Sequence, residues 1–185
     1  MNLSRTTGEK SLLKAFQSGD ASAMDTLFRA YAGYLSGVGS RYVVDNDDLK
    51  DVLQESFIKI FTHIGSFHYK GEGSLKAWMT RIVVNESLAF IRRKKNFPLS
   101  FDDKEPPDLP DEEPDTEGLS PETVIELIRQ LPAGYREVIN LYAIEGHSHK
   151  EIAQMLGIKP DSSASQFHRA KNMLARMIKE YKNKI

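Results

Sequence analysis

Residues 148–170 read SHKEIAQMLGIKPDSSASQFHRA. Ser148-His149-Lys150-Glu151 is a capping box, in which a serine side chain accepts from a backbone N–H three residues on and the glutamate reaches back. It opens a short helix whose apolar positions are Ile152, Ala153, Met155 and Leu156. Gly157 stops that helix, because glycine takes the left-handed conformation of a C-terminal cap without steric penalty. A long helix then starts near Pro160 to Ser162, with Phe167, Ala170, Leu174, Met177 and Ile178 inward. A short helix, a tight glycine turn and a longer helix with polar first turns form the helix-turn-helix pattern, whose second helix enters the DNA major groove. The outward positions are Asp161, Ser162, Ala164, Ser165, His168 and Arg169. Ser165 and His168 suit base edges, while Arg169 and Lys171 suit phosphates. The same pattern fits a helical hairpin in an all-α core.

Upstream, Pro121 to Leu131 reads as a helix with Ser120 as N-cap and Pro121 in the first turn, where proline is tolerated. Pro132-Ala133-Gly134 breaks it. Tyr135 to Ile144 follows, with Tyr135, Val138, Ile139 and Tyr142 inward, and Glu145-Gly146-His147 turns the chain.

The formal net charge of −1 over 185 residues conceals three blocks. Residues 1–97 and 123–185 each carry a net charge of +4, whereas residues 98–122 carry −9. Six of the eight prolines fall in that acidic block: Pro98, Pro106, Pro107, Pro110, Pro114 and Pro121. Proline lacks an N–H and like charges repel, so the block is expected to be an extended, unpacked linker between two small domains. It serves either as a solvated tether or as an imitation of nucleic acid lying on a basic surface.

The N-terminal block shows apolar residues at helical spacing, with no strand-like alternation. Helices are expected from Gly8 to Ser18 and then after Gly19-Asp20, with Leu27, Phe28, Tyr31, Leu35 and Val38 on one face. A third helix starts after one of several N-caps between Asp45 and Asp48. Its buried stripe is Leu49, Val52, Leu53, Phe57, Ile60, Phe61 and Ile64. Asp51, Gln54, Glu55, Ile58 and Thr62 fall elsewhere, either as a solvated edge or as a docking surface with Ile58 inside an acidic border. Ser66-Phe67-His68-Tyr69-Lys70-Gly71-Glu72-Gly73-Ser74 is either a plain interhelical turn or a site where aromatics stack on bases.

The fourth helix, Ser74 to Lys95, is expected to bury Leu75, Trp78, Met79, Ile82, Val83, Ala89 and Phe90. Arg81, Asn85, Leu88, Arg92 and Lys95 share an exposed stripe by spacing. The terminal Arg92-Arg93-Lys94-Lys95 run complements the helix dipole and equally suits phosphate contact.

Several classes fall away. Without cysteine there is no disulfide, thiolate metal site or cysteine nucleophile. His147, His149 and Glu151 lack the convergent spacing of a zinc site. No catalytic constellation stands out and no cofactor is implied, so a hydrolase ranks below two DNA-binding readings. No apolar run nears the ~20 residues of a membrane span, and Met1 to Lys10 lacks the apolar core of a signal peptide, which makes the cytoplasm the expected compartment. A stand-alone helix-turn-helix regulator, a DNA-binding module without polymerase docking, is the second of the DNA-binding readings.

The chain resembles the extracytoplasmic-function (ECF) sigma factors of the bacterial sigma-70 family. The resemblance rests on Asp51-Val52-Leu53-Gln54-Glu55-Ser56-Phe57-Ile58-Lys59, Gly71-Glu72-Gly73-Ser74 with Trp78, and Arg81-Ile82-Val83-Val84-Asn85. It continues through Leu131-Pro132 to Tyr142, Glu145 to Ala153, and Ser165 to Ala170, in the family's order. It implies an all-α fold with a sigma-2-like helical bundle (1–97), an acidic linker (98–122) and a sigma-4-like helix-turn-helix domain (123–185).

It further implies that Asp51, Gln54, Glu55 and Ile58 dock on the β′ clamp coiled coil of core RNA polymerase, whose β flap is a second contact. Ser66 to Ser74, including Phe67, His68, Tyr69 and Lys70, would take an unstacked base of the promoter −10 element. Trp78, Arg81, Asn85, Arg92 and Arg93 would contact that element and its strands. Ser162, Ala164, Ser165, His168 and Arg169 would meet the −35 element. The linker would run toward the polymerase cleft. Such factors are often held by an anti-sigma factor. Ala89 replaces the family's usual Asp, Ala164 a common Lys or Arg, and Lys159-Pro160-Asp161 a Ser-Glu-Gly start.

Overall fold

The computed structural model describes residues 8–94 and 112–184. The chain divides into two compact units, Met1–Ile91 and Arg92–Ile185. Lys95 of the basic stripe and residues 98–111 of the acidic block lie outside the described residues. Among the described residues all regular structure is helical.

The first unit holds α1 (Glu9–Gln17), α2 (Ala23–Ser40), α3 (Asn46–His63), a 3-10 turn (Ile64–Ser66) and α4 (Ser74–Lys94). Of the possible N-caps before α3, Asp45 serves: its Oδ1 accepts from the N–H groups of Asp47 and Asp48, each at 3.0 Å. Leu49, Val52, Phe57, Ile60 and Ile64 are buried as their spacing predicts, with Leu53 and Phe61 half-buried. Leu27 and Leu35 of α2 and Leu75, Met79 and Val83 of α4 have no residual exposure. Between the helices, Lys59 Nζ lies 2.6 Å from Glu86 Oε1, so the buried Glu86 carboxylate has its counter-charge.

Two expectations for this unit change. Phe28 is 48% exposed, because it sits at the rim of the core and leans on Phe57 with ring centroids 4.9 Å apart. Leu88, placed by spacing on the exposed stripe of α4, is only 3% exposed. It extends the apolar row of Val84 by one turn, and that row turns inward.

The second unit holds α5 (Pro121–Arg129), α6 (Ala133–Ile139), a π-helical turn (Asn140–Ile144), α7 (His149–Leu156) and α8 (Pro160–Lys182). Ser120 caps α5 as expected, accepting from the Thr123 N–H at 3.1 Å. Leu127, Ile128, Leu131, Ile139, Ala170, Leu174 and Ile178 form the core. Arg136 Nη1 donates to the carbonyls of Arg129 (3.0 Å) and Leu131 (2.9 Å), satisfying the free end of α5. Burial holds that guanidinium below its ordinary pKa.

α6 starts two residues earlier than expected, with Pro132 at the N-cap and Gly134 carried inside. Its continuation widens: the Glu145 N–H bonds the Asn140 carbonyl at 2.9 Å, five residues back. Tyr142, expected inward, falls in this turn and is 40% exposed. Its ring stacks on His149 (4.5 Å, 13°) and tilts against Phe167 (4.3 Å), tying the turn to α7 and α8.

The capping box of α7 is complete, with the Ser148 N–H and hydroxyl donating to Glu151 Oε2 at 2.8 and 2.7 Å. Gly157 closes the helix at φ 70°. The Ser148 hydroxyl, and then its N–H, hold the Glu151 carboxyl below the usual carboxylate range. A depressed folded-state pKa stabilises above the unfolded value and loses that contribution as pH falls through the folded one. Loss of the N-cap hydroxyl, which accepts from the Glu151 N–H, is expected to make the second unit of Ser148→Ala less stable by about 1 kcal/mol at neutral pH. The gap to the parent should narrow on acidification below about pH 4. Thermal melts of both chains at pH 7 and pH 3 check this, and a gap indifferent to pH would refute the role of the carboxylate.

The end of the acidic block is not unpacked. The Glu112 N–H donates to Asn172 Oδ1 (3.2 Å), Glu113 pairs with Lys171 (2.6 Å) and Asp115 with Lys182 (2.8 Å). Lys182 holds the Asp115 carboxyl below the usual range. Residues 112–115 thus lie along α8, because carboxylates expelled by mutual repulsion find cations spaced along one helix face.

Candidate functional site

Three surfaces carry the candidate residues. On α3, Asp51, Gln54, Glu55 and Ile58 are all exposed. Spacings of three, one and three place them on one side of the helix. Ile58 is 51% exposed although its neighbour Phe57 is in the core, so this face offers one apolar side chain among carboxylates and an amide. Thr62 donates its hydroxyl to the Ile58 carbonyl at 2.7 Å, so towards a partner it can only accept.

The second surface joins the Ser66–Ser74 loop to α4. Phe67 and Trp78 are half-buried and pack on each other, centroids 5.1 Å apart, whereas His68, Tyr69 and Lys70 are exposed. Gly71 (φ 120°) and Gly73 (φ 85°) take conformations other residues avoid. The Ser74 hydroxyl closes the turn, donating to the Gly71 carbonyl at 2.5 Å while accepting from the Lys70 N–H at 3.2 Å. Arg81, Asn85, Arg92 and Arg93 of α4 are exposed. The loop thus combines a half-buried ring pair with the exposed His68, Tyr69 and Lys70, next in sequence to a helix ending in a basic run.

The third surface is the start of α8. Ala164, Ser165 and His168 are exposed, and Ser162 and Arg169 are half-buried. Lys159 makes no side-chain cap, consistent with its being a poor N-cap. Lys171, expected at phosphate, instead has 16% side-chain exposure and pairs with Glu113. His149, one of the residues weighed as a metal ligand, is taken by other partners: Nδ1 lies 3.0 Å from Ser163 Oγ. Among the described residues no helix is long and apolar enough to cross a membrane.

Comparison with known proteins places the chain in a family. The family described as Sigma-70 region 2 matches residues 27–97, and that described as Sigma-70, region 4 matches residues 122–174. The ECF RNA polymerase sigma-E factor of Haemophilus influenzae is 32% identical over 182 residues, covering 92% of this chain and 95% of that protein. The chain belongs to the ECF sigma factors of the sigma-70 family. The RNA polymerase sigma-H factor of Pseudomonas aeruginosa is 30% identical over 178 residues, covering 90% of the sigma factor described here and 91% of its own length. The fold is shared with the sigma factor RpoE of Bartonella quintana, solved in complex with the anti-sigma factor NepR. There the TM-score is 0.50 and the identity 22%, over 86% of this chain and 98% of that one.

In the sigma factor, residues of α1 and α2 make contacts to α4 that spacing along the chain does not reveal. Glu9 of α1, only 7% exposed, sets its carboxylate on the first turn of α4 and accepts from the N–H groups of Leu75 (3.0 Å) and Lys76 (2.9 Å). It is an N-cap supplied from another helix, fixing where the Ser66–Ser74 loop ends and α4 begins. Nearby, burial together with the Glu9 and Glu72 charges raises the pKa of the Tyr31 phenol. Tyr34 approaches α4 too: its hydroxyl lies 3.1 Å from Thr80 Oγ1 and its ring lies under Lys76 Nζ at 4.0 Å. The only sequence signal for the Glu9 contact is an acidic residue at the start of an amphipathic helix, which fits a cap of its own helix equally well.

Proposed function

We propose that this sigma factor docks on core RNA polymerase through the α3 face of Asp51, Gln54, Glu55 and Ile58. On that reading the face meets the β′ clamp coiled coil, and the C-terminal domain (123–185) meets the β flap. The Ser66–Ser74 loop with Trp78, Arg81, Asn85, Arg92 and Arg93 opens and holds the −10 element. Ser162, Ala164, Ser165, His168 and Arg169 meet the −35 element. The factor acts where polymerase acts, in the cytoplasm, and directs initiation at its own promoters without catalysing a reaction itself. The observation that supports this most is the exposed α3 face, an unburied isoleucine amid carboxylates on a helix whose opposite side is core.

The physics is delegated recognition. Each basic block carries only +4. Affinity for duplex DNA scales with the phosphates neutralised, so the free protein binds weakly and loses even that with salt. Polymerase sets the spacing of the two domains, and linked sites gain effective concentration without new contacts. Unstacking a −10 base costs a few kcal/mol, offset by trapping it in the loop. The deciding experiment adds the protein to core polymerase on fragmented genomic DNA and sequences transcript 5′ ends. Initiation at a discrete promoter set is expected, together with salt-sensitive micromolar binding or weaker by the free chain. Nanomolar, sequence-specific binding without polymerase would favour a stand-alone regulator.

A further inference from the structure

The strongest arrangement outside the surfaces above is a chain of hydrogen bonds centred on Asn172. This residue of α8 is 6% exposed and uses both ends of its amide. Oδ1 accepts from the Glu112 N–H at 3.2 Å, and Nδ2 lies 3.2 Å from His168 Nε2. The directions are forced. A backbone N–H only donates, so the amide oxygen must face Glu112. The amide nitrogen then faces His168, and because it too only donates, Nε2 must accept. In the neutral ring an accepting Nε2 leaves the proton on Nδ1. The Glu112 end is itself anchored, since the next carboxylates pair with Lys171 and Lys182 on α8.

We propose that Asn172 is a positioning residue for promoter specificity, transmitting the docking of the acidic segment to His168 by fixing its ring orientation and tautomer. The inference rests on the reading of His168 as a −35 contact. Asn172 does not touch DNA in this account. It decides which ring nitrogen carries the proton when His168 meets a base edge, where donors and acceptors are discriminated. The acidic segment thereby has a part in recognition, since the orientation of the amide is set by the Glu112 N–H. Release of residues 112–115 from α8 takes away the N–H that orients the amide.

The test uses the full-length, 15N-labelled protein and long-range 1H–15N imidazole spectra at neutral pH. The His168 signals are identified by their loss in His168→Gln. Nδ1 is expected to be protonated and Nε2 bare. Asn172→Asp keeps an acceptor for Glu112 but replaces the donor facing His168 with a carboxylate oxygen, so the proton should move to Nε2. Glu112→Pro, which leaves α8 intact, removes the N–H that orients the amide and should give a mixture of tautomers. In holoenzyme transcription, Asn172→Asp should change the ranking of −35 variants by about tenfold at one position, leaving the response to −10 variants unchanged. A purely structural role would weaken all promoters alike. A wild-type ring protonated on Nε2, or a tautomer indifferent to both substitutions, overturns the proposal alone. A −35 ranking that survives His168→Gln overturns the assignment on which the proposal rests.

Discussion

The double variant Gln54→Ala, Ile58→Glu is expected to lower affinity for core polymerase by about 100-fold or more while leaving the melting temperature unchanged. The first half follows from interface energetics. Side chains at the centre of a docking face carry most of its energy, and truncating such a residue costs roughly 2–4 kcal/mol. Glutamate at position 58 does more than truncate, since it brings a charge needing solvation into the place of an apolar contact. It also adds to the acidic border of Asp51 and Glu55, so a partner surface suited to an isoleucine now meets a third carboxylate. The second half follows from exposure. Ile58 is 51% exposed and Gln54 is exposed, so neither belongs to the core that α3 shares with α2 and α4. Pull-down with core polymerase and a thermal melt of the free protein read the two halves separately. Undiminished capture would remove α3 from the docking assignment.

Glu9→Ala is expected to destabilise the first unit by about 2–4 kcal/mol. The carboxylate is nearly buried and accepts two backbone N–H groups at the start of α4. Removing it leaves the buried Leu75 N–H without a partner, deprives the Lys76 N–H of its acceptor, and takes a negative charge from the positive end of the helix dipole. Against a typical domain stability of roughly 5–15 kcal/mol that is a large fraction. The lone tryptophan, Trp78, sits one turn further along α4 against Phe67, so its fluorescence reports the affected region during urea unfolding. Because the same carboxylate fixes where the loop ends, promoter opening by the holoenzyme should fall with stability. Glu9→Gln keeps one oxygen acceptor and should lie between the two. A change below about 0.5 kcal/mol, typical of an ordinary surface substitution, would show that Glu9 is dispensable.

The residues behind these predictions differ in how visible they were beforehand. Ile58 and its neighbours stand out in the sequence because a helical repeat separates them from a strong apolar stripe, and α3 is regular from end to end. The α7 capping box and Gly157 were likewise legible, since each device is complete within four residues. Leu88 and Tyr142 depart from their spacing for related reasons. Spacings of three and four residues fit two adjoining faces of a helix, and the core chose the face on which Leu88 continues Val84. A π turn shifts phase by one residue, which periodicity alone does not anticipate, and so Tyr142 moved outward. Lys171 looked like a phosphate ligand, and only its pairing with Glu113 removed it from that role.

Sequence by itself determined the helical class, the position of each helix within a few residues, the acidic block between two basic ones, and the α3 face on which polymerase docking is proposed. These depend on interactions between residues within about one helical turn, or on local charge density, and neither requires knowing what lies opposite. Only the tertiary structure decided that Glu9 caps a helix 66 residues away and that Glu112 orients an amide 60 residues along, which in turn holds His168. An isolated carboxylate or amide has many equivalent partners within reach in an open chain. Burial removes water as the alternative, and the unsatisfied N–H groups then select the one partner that the packing of the helices has brought within about 3 Å.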